Sequence, residues 1–195
     1  MSEELVIPGI DQEEIGTLLS VRTYSQYRDM VEQILSGTCP FCKLDRNKNE
    51  VLRVSGEWRL WKNPYPHAHT KEHFIIAPIQ HLTNLCQMYS NDWDDVAALI
   101  DYVVNPETCG GMAYEGGAVV IRYGDPRLNA GSIRHLHVNI IVPDGTGRVQ
   151  ATLAKTPEDI ERKKKILTVF EKVRTGTPMS TLTDEELSLV TGRMW

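Results

Sequence analysis

The sequence predicts an α+β fold: a mainly antiparallel sheet with flanking helices, followed by a helical C-terminal extension. Three features predict it. Short apolar or alternating runs are separated by turn residues, one helical pattern interrupts them, and amphipathic helical patterns stand before and after. Strands and helices do not alternate regularly, which argues against repeated βαβ units and a parallel sheet.

Taken in order, Met30, Val31, Ile34 and Leu35 follow helical spacing from Tyr27, and Gly37 stands where a C-terminal cap is expected. This helix delivers the chain to Cys39. After the charged turn Lys43 to Glu50, Val51 to Ser55 and Glu57 to Asn63 read as a hairpin around Gly56. The proline-punctuated Asn63-Pro64-Tyr65-Pro66 leads to a third strand, His73 to Ala77. Ser90 or Asn91 caps a helix from Asp92 to about Val104, its acidic first turn suiting the positive end of the dipole, and Pro106 closes it. The pairs Gly110-Gly111 and Gly116-Gly117 bracket a turn before the strand Ala118 to Ile121. The loop Gly124 to Ser132 precedes Ile133 to Val142, the most regular strand pattern. Helices near Pro157 to Val173 and Asp184 to Val190 complete the chain. The expected organisation is an N-terminal helical segment (1–38), a catalytic core (39–143) and a helical C-terminal extension (144–195). In that extension Trp195 is a candidate anchor.

The chain has 195 residues, 41% hydrophobic and 24% charged, enough to bury a core without disulfides. With 26 acidic against 21 basic residues the net charge is -5, which gives no electrostatic footprint for DNA or RNA. The basic run Arg162 to Lys165 reads as the solvated face of a helix. The most apolar window, Val96 to Val104, is broken by Asp101, so no membrane span is expected, and the acidic Met1-Ser2-Glu3-Glu4 is unlike a secretory signal. The expected compartment is the cytoplasm. There the 4 cysteines remain thiols, with Cys86 and Cys109 as packed residues.

The chemistry-bearing segment is His135-Leu136-His137-Val138-Asn139. On a strand, His135, His137 and Asn139 share one face, with neighbours about 7 Å apart. One can contact a phosphorus centre while the others reach its oxygens or a metal. A neutral imidazole is a nucleophile near neutral pH, and the phosphoramidate it forms is readily hydrolysed. The Asn139 amide is a candidate donor to a non-bridging oxygen. The plain alternative is the solvent side of an amphipathic strand. Upstream, Asn129-Ala130-Gly131-Ser132 reads either as an anion-binding nest of backbone amides or as an ordinary turn.

Cys39-Pro40-Phe41-Cys42 has the gap that lets both thiolates take one zinc, with His81 and His135 as candidates for the remaining ligands. The same four residues also resemble the redox centre of glutaredoxins, although such a pair opens a helix whereas this one follows a helix. Two spectator thiols are the third reading.

Together, Cys39 to Cys42, Asn63 to Pro66, His73 through His81 and Ser132 through Val142 resemble, in order and spacing, the histidine-triad (HIT) family of nucleotide hydrolases and transferases, in its zinc-containing bacterial branch. The resemblance covers about Cys39 to Pro143. It implies a mainly antiparallel sheet with helices packed on it, a homodimer, and structural zinc on Cys39, Cys42, His81 and His135. It implies that His137 is the nucleophile toward the α-phosphate, that Asn63 meets the ribose, that His73 lies near the phosphates and that Ser132 serves the leaving group. Asn129, Gly131 and Asn139 complete the implied nucleotide-binding set, and Trp61 and Leu60 are candidates for a base pocket. Two departures stand out: Asn139 replaces the third triad histidine, and Ala130-Gly131-Ser132 replaces Gly-Gln-Ser.

The expected activity is hydrolysis of a dinucleoside polyphosphate or nucleoside phosphoramidate through a nucleotidyl-His137 intermediate. A nucleotidyl or adenylyl transferase or phosphorylase using the same intermediate, a non-catalytic nucleotide-binding regulator and a thiol redox protein are the alternatives. The expected partner is a small nucleotide, with neither nucleic acid nor membrane.

Overall fold

The computed structural model describes residues 15–45, 47–107, 114 and 116–192. Cys109, Gly110-Gly111, Trp195 and the first four residues lie outside them. In chain order the elements are helix α1 (Tyr24–Leu35), strands β1 (Val51–Ser55), β2 (Trp58–Lys62) and β3 (Thr70–Pro78), helix α2 (Ser90–Val104), strand β4 (Ala118–Arg122), the short helix α3 (Pro126–Asn129), strand β5 (His137–Pro143), and helices α4 (Pro157–Arg174) and α5 (Asp184–Thr191). The class is α+β. The chain divides into a helical unit, Met1–Cys39, Asp125–Arg134 and Thr152–Trp195, and a sheet unit, Pro40–Gly124 and His135–Ala151.

In the sheet unit the 5 strands run in the order β1-β2-β3-β5-β4, with every neighbouring pair antiparallel. The β1–β2 turn needs glycine: Gly56 has φ +49°, and a Cβ there would stand 2.1 Å from a carboxylate oxygen of Asp95. Strand alternation puts Phe74, Ile76, Val138 and Ile140 beside Trp58 and Leu60, packed with Val96, Leu99 and Val103 of α2. These residues are the apolar core of the unit, each worth about 1.5–3 kcal/mol of burial. The start of α2 is tied to that core by one side chain. Asp92 accepts from the Tyr89 backbone N–H at 2.7 Å and from the Trp58 indole N–H at 2.8 Å. The helix therefore begins at Ser90, with Tyr89 at the cap position, two residues before the expected start.

Strand β5 is shorter than the sequence pattern suggests. It begins at His137, not at Ile133, because its partners run out: β4 ends with the pair Arg122↔His137, and the last pair with β3 is Ile76↔Val138. Just before it, the Leu136 N–H donates to the carbonyl of Leu82 at 2.6 Å, outside any ladder. His135 thus precedes the strand and does not share its alternation with His137 and Asn139.

In the helical unit α1, α4 and α5 share a core in which Tyr27, Met30, Val31 and Ile34 meet Ile166, Leu167, Phe170 and Val190. Thr23 caps α1 by accepting from the Gln26 N–H at 3.1 Å, which starts the helix before Tyr27, and Gly37 follows its end at φ +66°. Reciprocal caps, Thr156 with Asp159 and Thr183 with Glu186, start α4 and α5. Within this core the Tyr27 hydroxyl donates to Glu171 at 2.7 Å, and Arg174 Nε donates to the same carboxylate at 2.6 Å. Burial acts to raise the pKa of Glu171, but these two donors outweigh it and hold the carboxyl below its usual range. No helix among the described residues is long and apolar enough to cross a membrane.

Candidate functional site

The second face of the sheet carries the polar residues. Asn63, just past β2, donates its backbone N–H to the His73 carbonyl at 2.7 Å, and its side-chain amide lies 3.3 Å from the His73 ring nitrogens. His73 Nε2 lies 3.0 Å from Asn139 Oδ1, and the Asn139 amide nitrogen donates to the Val120 carbonyl at 3.5 Å. The Asn139 oxygen only accepts, so His73 carries a proton on Nε2, and its Nδ1 accepts from the Asn63 amide when unprotonated. His67 stacks on His73, with ring centroids 5.1 Å apart and planes 10° from parallel.

His137 is buried, and its Nδ1 lies 2.6 Å from the carbonyl of His135. A carbonyl only accepts, so Nδ1 carries the proton and the lone pair is on Nε2. Burial, with a smaller contribution from the Arg122 charge, lowers the His137 pKa to about 4 against the opposing carbonyl contact. The ring is therefore neutral at physiological pH. Phe41 meets it edge-on at 5.2 Å between centroids, and also meets Trp61 at 5.2 Å and His135 at 5.7 Å. Arg59 fastens this segment by donating to the Phe41 carbonyl at 2.6 Å.

Beside this face, Cys42, His81 and His135 converge, with Cys39 one peptide bond ahead of Pro40. One ligand atom from each of the four lies within 4.8 Å of the others. Cys42 Sγ is 3.2 Å from His81 Nδ1 and 3.6 Å from His135 Nδ1. The edges of a tetrahedron built on ordinary zinc–sulfur and zinc–nitrogen bonds are about 3.3–3.8 Å, so the donor set fits zinc. His135 Nε2 lies 3.1 Å from the Pro78 carbonyl, which places its proton there and leaves Nδ1 for the metal. Burial and the neighbouring His81 lower the His135 pKa to about 3, which keeps the ring in the neutral form a metal requires.

The structure thus brings Asn63, His73 and Asn139 into one network, places His137 on the same face, and gathers Cys39, Cys42, His81 and His135. Asn129, Gly131 and Ser132 belong to the helical unit. There the Gly131 N–H donates to the Asn129 side chain at 2.7 Å, and the Ser132 carbonyl accepts from Thr17 at 2.9 Å. Leu60 and Trp61 cannot line one pocket: as adjacent strand residues they face opposite ways, Leu60 into the core beneath α2 and Trp61 toward Phe41. Phe41, His67 and Arg122 were not assigned from sequence. A basic residue ending the apolar run Ala118 to Ile121 was the available signal for Arg122; Phe41 meets residues distant in the chain, and His67 stacks on His73 only because the turn between them folds it back.

No family model matches this sequence, and no curated protein matches it. The fold was also compared with solved structures. A histidine triad nucleotide-binding protein of Sulfolobus tokodaii is 19% identical, with a TM-score of 0.43 over 69% of this chain and 93% of that one. A zinc-bound histidine triad family protein of Mycobacterium smegmatis is 15% identical, with a TM-score of 0.44 over 72% of this chain and 98% of that one. A HIT family hydrolase of Legionella pneumophila is 18% identical, with a TM-score of 0.41 over 59% of this chain and 96% of that one.

Proposed function

We propose that this chain is a nucleotide phosphate hydrolase of the histidine-triad type, acting on a dinucleoside polyphosphate or a nucleoside phosphoramidate through a covalent nucleotidyl-His137 intermediate. The observation that carries the reading is the 2.6 Å contact of His137 Nδ1 with the His135 carbonyl. It leaves a neutral imidazole with its nucleophilic lone pair on Nε2. The sequence resemblance over Cys39 to Pro143 supports the same assignment.

In the first step Nε2 attacks the α-phosphorus. A nitrogen–phosphorus bond forms, the bond from phosphorus to the leaving oxygen or nitrogen breaks, and the leaving group takes that electron pair and a proton from solvent. Water then adds to phosphorus and returns a proton to solvent, the nitrogen–phosphorus bond breaks, and nucleoside monophosphate leaves with His137 restored. Asn139 donates to a non-bridging oxygen, Asn63 meets the ribose and His73 lies near the phosphates. Asn129, Gly131 and Ser132 enter this reading through the sequence resemblance alone. Cys39, Cys42, His81 and His135 would hold a structural zinc, which fixes the Cys39 to Cys42 segment and takes no part in the steps. The working form is proposed to be a cytoplasmic homodimer.

Incubation with diadenosine polyphosphates and adenosine 5′-phosphoramidate, with and without inorganic phosphate, tests the reading. Nucleoside monophosphate released in water alone, a trapped nucleotidyl adduct on His137, and a loss of at least about a thousandfold in His137→Ala are expected. Product that appears only when phosphate is added would identify a phosphorylase using the same intermediate, a reading favoured by the neutral Asn139 amide. Turnover unchanged in His137→Ala would overturn both.

A further inference from the structure

Arg122 has no role in the steps above, yet its position puts it beside them. It ends β4 and is the register partner of His137, the first residue of β5. Directly opposed residues of an antiparallel pair leave the sheet on the same side with Cβ atoms about 4.5–5.5 Å apart. The Arg122 guanidinium stem therefore rises next to the imidazole. The residue is only 8% exposed, and burial lowers its pKa from the usual arginine value, although a guanidinium keeps its charge at any physiological pH. The register positions nearest His137 on this face, Arg122 on β4, Asn139 on β5, Ile75 and Ala77 on β3 and Arg59 on β2, include two cations and no carboxylate. Arg59 donates to the Phe41 carbonyl at 2.6 Å, and Arg122 stands opposite His137 in the β4–β5 register. Asn139, one alternation further along β5, is neutral and meets His73 and the Val120 carbonyl.

We propose that Arg122 is a substrate-binding residue whose guanidinium contacts the non-bridging oxygens of the phosphate that His137 attacks. The proposal rests on the reading of His137 as the nucleophile. The geometry suits the chemistry: guanidinium donors match two phosphate oxygens at once, and a buried cation offsets the charge of a phosphate as the nitrogen–phosphorus bond forms. Selectivity follows. A nucleoside with a 5′-phosphate gains from Arg122, and the same nucleoside without phosphate does not.

The test measures AMP and adenosine affinity by calorimetry in wild type, Arg122→Lys and Arg122→Met, together with labelling of His137 by adenosine 5′-phosphoramidate. Arg122→Met is expected to weaken AMP binding by about 30-fold while adenosine affinity stays unchanged, and Arg122→Lys to recover part of the loss. Unchanged adenosine affinity also certifies that the variant is folded. If Arg122→Met does not fold, Arg122→Lys carries the test alone, with the AMP-to-adenosine affinity ratio as its readout. An AMP affinity preserved in the folded variants, with His137 still labelled, overturns the role of Arg122 and spares the nucleophile. Failure of wild type to bind AMP or to be labelled overturns the nucleotide reading and Arg122 with it.

Discussion

Phe41 meets the ring of His137 edge-on, at 5.2 Å between centroids and an interplanar angle of 81°. Phe41 sits between Pro40 and Cys42, so the same short segment that offers thiolates to a metal also walls the candidate nucleophile. The same ring also meets Trp61 at 5.2 Å and His135 at 5.7 Å. The burial that keeps His137 neutral therefore depends on how this segment is held.

Phe41→Ala is expected to destabilise the protein by about 3–5 kcal/mol, the usual cost of truncating a buried phenylalanine, as read by urea unfolding. It should also admit water to His137. A cost below about 1 kcal/mol would mean that the ring is not packed as described.

Zinc at about one equivalent per chain is expected in protein isolated without chelator, measured by elemental analysis. Cys42→Ser should lose it, and the melting temperature of wild type after chelation should fall to that of the variant. Metal-free protein that forms a Cys39–Cys42 disulfide on mild oxidation would instead place the pair in redox chemistry.

Lys163 sets a pH dependence in the helical unit. It is buried and donates to the Val21 carbonyl at 2.7 Å, and burial, followed by the charges of Lys155, Arg22 and Arg162, lowers its pKa to about 7. The sign follows from proton counts. Above about pH 7 the folded state sheds the Lys163 proton, while the unfolded chain keeps it until the ordinary lysine range. The unfolded state then binds more protons, so this residue's contribution makes stability rise with pH between those limits, by at most about 1.4 kcal/mol per unit. Subtracting the pH–stability profile of Lys163→Met from that of wild type isolates this slope. A difference that is flat between pH 7 and 10 would contradict it.

Much of this architecture is written locally. The β1–β2 hairpin around Gly56, α2 with its acidic first turn, and α4 and α5 with their caps are readable because each is set by neighbours within a few residues. The clustering of Cys39, Cys42, His81 and His135 was legible through the family resemblance, because the Cys39–Cys42 spacing by itself also suits a redox pair. The opposite facing of Leu60 and Trp61 is equally local, since adjacent strand residues point to opposite faces.

The sequence by itself determined the residue types that the chemistry needs, the side of β5 on which His137 and Asn139 lie together, and the α+β class. Tertiary structure alone decided where β5 begins, because a strand exists only while neighbours pair with it, and β4 and β3 give out at His137 and Val138. It alone joined Asn139 to His73, set Phe41 against His137 and raised Arg122 beside it, since strand register brings together residues that no local pattern relates. The shared core of α1, α4 and α5 has the same origin: apolar stripes far apart in the chain are each indifferent to their partner until packing chooses it.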